Sequence, residues 1–228
     1  MISKAALKRT AYMNNDPLNV DDNIARLLAD MEPSDIESDD IEISSDSEHT
    51  DAKVIPAELP ILPLRGLVVY PLTALPLTIG QPRSIKLVDD VSLGDRMVGL
   101  VTAKNPDLEN PGPEDLYQIG TAAIVHRFFR APDGTIRLLI QGLARIKLGD
   151  FTQIEPYLKA KVTTIPETAD ASIEIEALAR NCRSQFEHIS DMIPSIPREL
   201  VSSVLAIQDP LQLVYNVANL QRMALIDA

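Results

Sequence analysis

The sequence predicts an α+β protein in three parts. Residues 1–55 form a largely disordered acidic arm. Residues 56–166 form a closed or partly closed sheet of about six to seven short strands with one helix, and residues 167–228 form a helical subdomain. Three observations predict this order. Up to Glu58 the chain carries 5 basic and 14 acidic residues, whereas the remainder carries 16 and 19, so the charge is concentrated at one end. From Pro56 short β-like runs alternate with Pro and Gly. After Pro166 the apolar period changes from 2 to about 3.6.

In the arm, Glu32 to Asp51 reads EPSDIESDDIEISSDSEHTD. Such a Ser/Asp/Glu stretch buries too little apolar area to offset the entropy of ordering. Upstream, Asp21 and Asp22 can cap a short helix with Ile24, Leu27, Leu28 and Met31 on one side, either a docking peptide or a frayed terminus. Strands are expected over 59–64, 67–70, 75–79, 97–104, 120–131, 135–141, 144–148 and 157–165. Pro60 and Pro63 remove two backbone donors from the first, which should therefore lie at an edge or interrupt its ladder. Gln81 to Leu93 reads as the one helix of this part, with Pro82 in its first turn and Ile85, Val88 and Val91 on one face. Asn105 to Leu116, NPDLENPGPEDL, is a loop. Asp133-Gly134 between two apolar runs marks a tight hairpin.

Asp170 to Ser190 predicts a long amphipathic helix with Ile173, Ala177, Leu178, Cys182, Phe186 and Ile189 along one stripe. Pro194, Pro197 and Pro210 divide the rest into helices over 198–206 and 211–217 and a last segment over 220–226. The sequence stops in helix-like residues without a Gly or Asn cap, which reads as a fragment of a longer protein.

Composition narrows the chemistry. Among 228 residues there is one Cys, no Trp and a formal charge of −12, and no apolar run reaches the roughly 18 residues of a membrane span. A soluble protein of a reducing compartment, the cytoplasm, is expected, without membrane association. Nucleic-acid binding is disfavoured by the acidic balance. None of the nine glycines is followed by Lys, so no P-loop exists. No GxSxG or HExxH occurs, and His49, His126 and His188 lack metal-like spacing. Cys182 lies on a helix stripe where cysteine behaves as a small hydrophobe. Asp89-Asp90 and Glu114-Asp115 have no partner to complete an acid–base site. No catalytic residue and no metal ligand are assigned, and the chain alone is expected not to be an enzyme.

The ordered motifs say more than any one residue. Leu62-Pro63-Leu64-Arg65, then Val69-Tyr70-Pro71, then Pro76-Leu77 followed by Gly80, resemble the opening of the N-terminal domain of Lon proteases. Ile119-Gly120-Thr121, Pro132-Asp133-Gly134-Thr135, Gly142-Leu143 leading to Arg145, and Gln185-Phe186-Glu187 continue the resemblance over about three quarters of the chain. Gln141 stands where the family commonly has an acidic residue, and the acidic arm is longer than usual. The resemblance implies a PUA-like β-pseudobarrel followed by a helical bundle. It implies recognition of unfolded, damaged or short-lived regulatory proteins and a part in hexamer assembly. An ATPase ring and a Ser-Lys protease region, absent here, would follow in the same polypeptide, and ATP and Mg would belong to them; this chain needs no cofactor. The alternatives are a stand-alone adaptor without protease activity and, because PUA-like barrels also bind RNA, an RNA module.

A two-residue Asp133-Gly134 turn sets Arg130 opposite Arg137, Phe129 opposite Leu138 and Phe128 opposite Leu139. Phe129 then faces the core with Ile136, Leu138 and Ile140. Phe128 and Leu139, flanked by Arg130 and Arg137, form an outer substrate-binding surface. Pro63, Leu64, Arg65, Pro71, Pro76, Asp133 and Gly134 are expected to be structural, with Arg65 hydrogen-bonding loop carbonyls or a carboxylate.

Overall fold

The computed structural model describes residues 54–168, 172–193 and 197–220. The arm over 1–53, its short helix and most of the 220–226 segment lie outside the described residues. Six strands form one mixed sheet: β1 (Glu58–Leu64), β2 (Ala74–Ile79), β3 (Met97–Thr102), β4 (Ile119–Arg130), β5 (Ile136–Gln153) and β6 (Lys159–Thr164). Helix α1 (Pro82–Ser92) lies between β2 and β3, and α2 (Ile173–Met192), α3 (Arg198–Leu205) and α4 (Pro210–Leu220) follow the sheet. The α+β class and the strand-then-helix order are as the sequence predicts.

The strand order is β2-β5-β4-β3-β1-β6, and β6 also pairs with β5. That second pairing closes β1, β3, β4, β5 and β6 into a ring, with β2 attached to the outside of the first half of β5. The runs expected at 135–141 and 144–148 are one continuous strand, β5, which serves β2 and β4 with its first half and β6 with its second.

Every residue of β3 is buried, as expected for a strand with an apolar core on each face. On one side Val98 and Leu100 join Leu62, Leu64, Leu138 and Ile140 beneath Leu87, Val88 and Val91 of α1. On the other, Met97 and Val101 join Leu59, Ile61, Ile146 and Leu158 inside the barrel. Gly99 sits close against β1 at this crossing: a Cβ there would lie 2.7 Å from the tip of the Ile61 side chain, which would have to shift.

Strand β1 is interior, not an edge. Its ladder is split: residues 58–60 pair antiparallel with β6, and residues 61–64 pair parallel with β3. Each proline thus sits where only one neighbour is engaged, and the missing donors are accommodated without exposing the strand.

Residues 67–70, expected as a strand, are instead part of an irregular strap over 67–73. Buried carbonyls that no ladder satisfies need other donors, and three buried threonines supply them. Thr102 Oγ1 donates to Leu67 O (2.7 Å), Thr121 Oγ1 to Val69 O (2.6 Å) and Thr73 Oγ1 to Tyr70 O (2.7 Å). At its end the strap joins β5: Leu72 N–H donates to Gly142 O (3.0 Å), and Gly142 N–H donates to Thr73 O (2.9 Å). Leu72 takes a positive φ of 59° there, a conformation that surrounding bonds must impose.

The helices have a core of their own: Ala179 and Phe186 of α2, Val204, Ile207 and Leu213, with Cys182 half-buried against them. The predicted stripe on α2 is rotated. Ile173, Leu178 and Ile189 are exposed, and the inward positions are Ala179, Cys182, Arg183, Phe186 and Ser190. Arg183 occupies the inward face because its guanidinium is consumed locally, donating to Ile207 O (2.8 Å) and Gln208 O (3.1 Å) beyond the end of α3. Ser172 caps α2, accepting from Ile175 N–H, and Asp209 caps α4 ahead of Pro210, accepting from Gln212 N–H (2.7 Å).

The strap yields a direct test. Thr121→Val leaves the Val69 carbonyl without its donor and should cost about 1–3 kcal/mol. Gly142→Ala puts a Cβ 2.3 Å from Tyr70 O and should cost at least as much, since backbone rather than a side-chain tip must move. Urea unfolding midpoints of the two variants against the parent measure both.

Candidate functional site

The β4–β5 hairpin decides which side chains face outward, and its register differs from expectation by one residue. The observed pairs are Arg130 with Ile136, Phe129 with Arg137, Phe128 with Leu138 and Arg127 with Leu139. Pro132, Asp133 and Gly134 form a three-residue loop: Gly134 N–H donates to Ala131 O (3.0 Å) and Ala131 N–H to Thr135 O (2.9 Å), with Gly134 at φ 82°. This is a type I turn closed by a left-handed glycine. Asp133 Oδ1 fixes it by accepting from Thr135 N–H (2.8 Å) and Thr135 Oγ1 (2.6 Å). The bond from the Thr135 side chain, followed by that from its backbone, lowers the Asp133 carboxyl pKa.

A one-residue shift exchanges the two faces. Phe128 lies opposite Leu138, which belongs to the core beneath α1, and is 38% exposed at that margin. Arg130 shares this inner side and pairs with Asp89 of α1 at 2.5 Å. Phe129 turns outward beside Arg137. Leu139 does lie on the outer face, but it is only 5% exposed, bracketed by Arg127 on β4 and Pro76 on β2. The expected outer surface of Phe128, Leu139, Arg130 and Arg137 is therefore corrected: Phe128 and Arg130 belong to the side of α1.

The outer face that does form spans β2, β5 and β4. One row reads Thr78, Arg137, Phe129, and the next reads Pro76, Leu139, Arg127. Pro76 and Arg127 are exposed and Phe129 is half-buried. Hydrogen-bonded pairs alternate along an antiparallel ladder, and Leu139 faces β4 with its backbone groups, so Pro76 opposite it forfeits no ladder bond. A bulge between Val125 and Arg127 brings His126 Nε2 to 2.7 Å from Gln141 Oε1 at the end of the face. The accessible part of this face is a shallow strip of Pro76 and Phe129 with Arg127 at its margin.

A second depression, of about 350 Å³, lies where the end of β1 meets β2 and the start of α1, with Pro63, Leu64, Arg65, Leu67 and Leu77 among its walls. Leu64 is buried and Pro63 half-buried, Pro71 is buried within the strap, and Arg65 is exposed. The expected anchoring of Arg65 to carbonyls or a carboxylate does not occur; its side chain makes no hydrogen bond or ion pair among the described residues. No group of three or more His, Cys, Asp or Glu side chains able to hold a metal ion is found among the described residues, and no described helix is long and apolar enough to cross a membrane.

Sequence reasoning passed over a polar cluster at the junction of sheet and helices. Glu167 Oε1 accepts from Arg145 of β5 (2.9 Å), Glu167 Oε2 accepts from the Tyr215 hydroxyl of α4, and the Tyr215 ring stacks on Tyr70 of the strap at 6.0 Å. Tyr70 and Arg145 stand within motifs quoted above; no periodicity pointed to their shared partner.

The family model for the ATP-dependent protease La (LON) substrate-binding domain matches residues 58–227. A "Lon protease 1" of Herpetosiphon aurantiacus is 46% identical over 178 residues, covering 76% of this chain and 22% of that protein. A Lon protease of Dictyoglomus thermophilum is 45% identical over 156 residues, covering 68% and 20%. The chain thus spans about a fifth of the length of the curated relatives it matches. Among solved structures, the N-terminal domain of the Mycobacterium avium complex Lon protease superposes with a TM-score of 0.58 at 20% identity, covering 75% of this chain and 86% of that one; the likeness establishes the fold.

The position of Arg65 generates a prediction. Arg65→Ala should leave the unfolding free energy within about 0.5 kcal/mol of the parent, as surface positions without partners do. A larger loss in urea titration would mean that the side chain has a structural partner.

Proposed function

This chain belongs to the family of Lon substrate-binding domains, and on that premise we propose that it recognises unfolded, damaged or short-lived regulatory proteins for a Lon-type ATP-dependent serine protease. The observation that carries the reading is the outer face of β2, β5 and β4. Pro76 and Phe129 offer apolar contact over the buried Leu139, and Arg127 gives the strip a cationic border. An unfolded chain exposes the apolar side chains such a strip can cover, and the border adds attraction for acidic segments. The chain itself performs no catalysis in this reading. ATP, Mg and peptide-bond hydrolysis belong to the remainder of a longer polypeptide, a cytoplasmic hexamer to whose assembly the helical part contributes. RNA is a poorer fit, because Phe128 and Phe129 face opposite sides and Arg130 is engaged with Asp89, so that Phe129 has no second aromatic of the hairpin beside it on which successive bases could stack.

The register separates the alternatives. Phe129→Ser and Pro76→Ser should each weaken binding of a reduced, alkylated test protein by about three- to tenfold, the order expected when one apolar side chain loses roughly 1 kcal/mol of burial. Phe128→Ser should leave that affinity unchanged. Fluorescence anisotropy with labelled unfolded protein reads the outcome, and melting curves establish that each variant is folded. Loss of binding in Phe128→Ser alone would move the site to the α1 side.

A further inference from the structure

The sheet and the helices share no apolar core: Leu138, Ile146 and their neighbours form two clusters in and around the barrel, and Phe186, Val204 and Leu213 form a third among the helices. The cluster on Tyr215 joins them. Its hydroxyl donates to Glu167, which follows β6, and Glu167 is held in turn by Arg145 of β5. Its ring stacks on Tyr70 with an interplanar angle of 28°. Leaving Arg137 of β5 aside, no other hydrogen bond or ion pair between described residues links a strand or the strap to α2, α3 or α4.

We infer that Tyr70, Arg145, Glu167 and Tyr215 form a latch that fixes the angle between the helical part and the outer face of the barrel, and that releasing it leaves both parts folded but free to reorient. The latch is rigid on the barrel side. Tyr70 sits in the strap whose carbonyls three threonines hold, and Arg145 lies in the middle of the longest strand. It is narrow on the helical side, where a single residue of α4 carries both contacts. Two packed units joined through one small polar contact are expected to move as rigid bodies about it.

Chemistry at the latch is consistent with a closed state at neutral pH. Burial, and then the hydrogen bond from Tyr215 to the Glu167 carboxylate, push the Tyr215 pKa up to about 12, partly offset by Arg145. The neutral phenol is therefore the form the folded latch prefers. Its contribution is complete below the ordinary tyrosine pKa of about 10 and is lost as pH rises through about 12. The groups facing the hydroxyl are Glu167 and Arg145, and Tyr70 faces the ring. The inference does not depend on what the outer face binds.

Double electron–electron resonance on the whole chain tests it, with spin labels at Lys161→Cys on β6 and His188→Cys on α2 in a Cys182→Ala background. The parent should give one narrow distance distribution. Tyr70→Ala/Tyr215→Ala should at least double its width while amide exchange shows both the sheet and the helices still protected. An unchanged width with both parts protected overturns the latch. Should the double variant fail to fold, Tyr215→Phe decides, because it removes the bond to Glu167 and keeps the ring: broadening supports the latch, and an unchanged distribution overturns its polar half.

Discussion

Strand β5 is the element on which the rest of the molecule depends. Its first half pairs with β2 and β4, and its second half closes the ring through β6. Because side chains alternate along a strand, the register of the first half of β5 against β4, up to the bulge at His126, assigns its side chains to the α1 core or to the outside. That register is set at one place, the turn over Pro132, Asp133 and Gly134. A loop of three residues puts Phe129 outward and Phe128 inward; a loop of two would reverse them. The apolar strip that the proposed function relies on is thus a consequence of turn length, since no single residue creates it.

The second constraint is the strap over residues 67–73. It crosses the sheet without pairing as a strand, so its carbonyls depend on Thr73, Thr102 and Thr121, and its approach to β5 depends on the absence of a side chain at Gly142. Buried hydroxyls with fixed partners make a rigid support because leaving a carbonyl unpaired in the core is costly. The support carries Tyr70, on which Tyr215 of α4 stacks. Sheet closure, strap and latch therefore form one chain of dependence from the β5 register to the position of α4.

Much of this was legible in the sequence, and the exceptions have physical causes. Pro82 marked the start of α1, the break near Pro166 marked the change from strand to helix, and Asp133-Gly134 marked the turn. The turn length is legible too: Pro132 before Asp-Gly favours a type I turn with glycine in the left-handed position after it, which adds one residue to the two-residue turn that Asp-Gly alone suggests. Val68 and Val69 have high strand propensity, but Pro71 and the threonine-held carbonyls override it, and nothing local announces bonds to residues 35 and 52 positions away. The stripe on α2 was rotated because an inward-facing Arg183 is counted as polar, although its charge is spent on the carbonyls beyond α3. The latch was unreadable, since Tyr70, Arg145, Glu167 and Tyr215 meet only once the ring has closed.

The central claim is that a three-residue turn chooses the outward face, and cross-strand Hα–Hα nuclear Overhauser effects measure it most directly. In an antiparallel ladder these are strongest at the non-hydrogen-bonded pairs, where the Cα atoms approach most closely. The Ala131 N–H to Thr135 O bond sets the alternation, so strong effects are predicted between Arg130 and Ile136 and between Phe128 and Leu138. Strong effects between Ala131 and Ile136 and between Phe129 and Leu138 would mean a two-residue turn, and would contradict the account by returning Phe129 to the core.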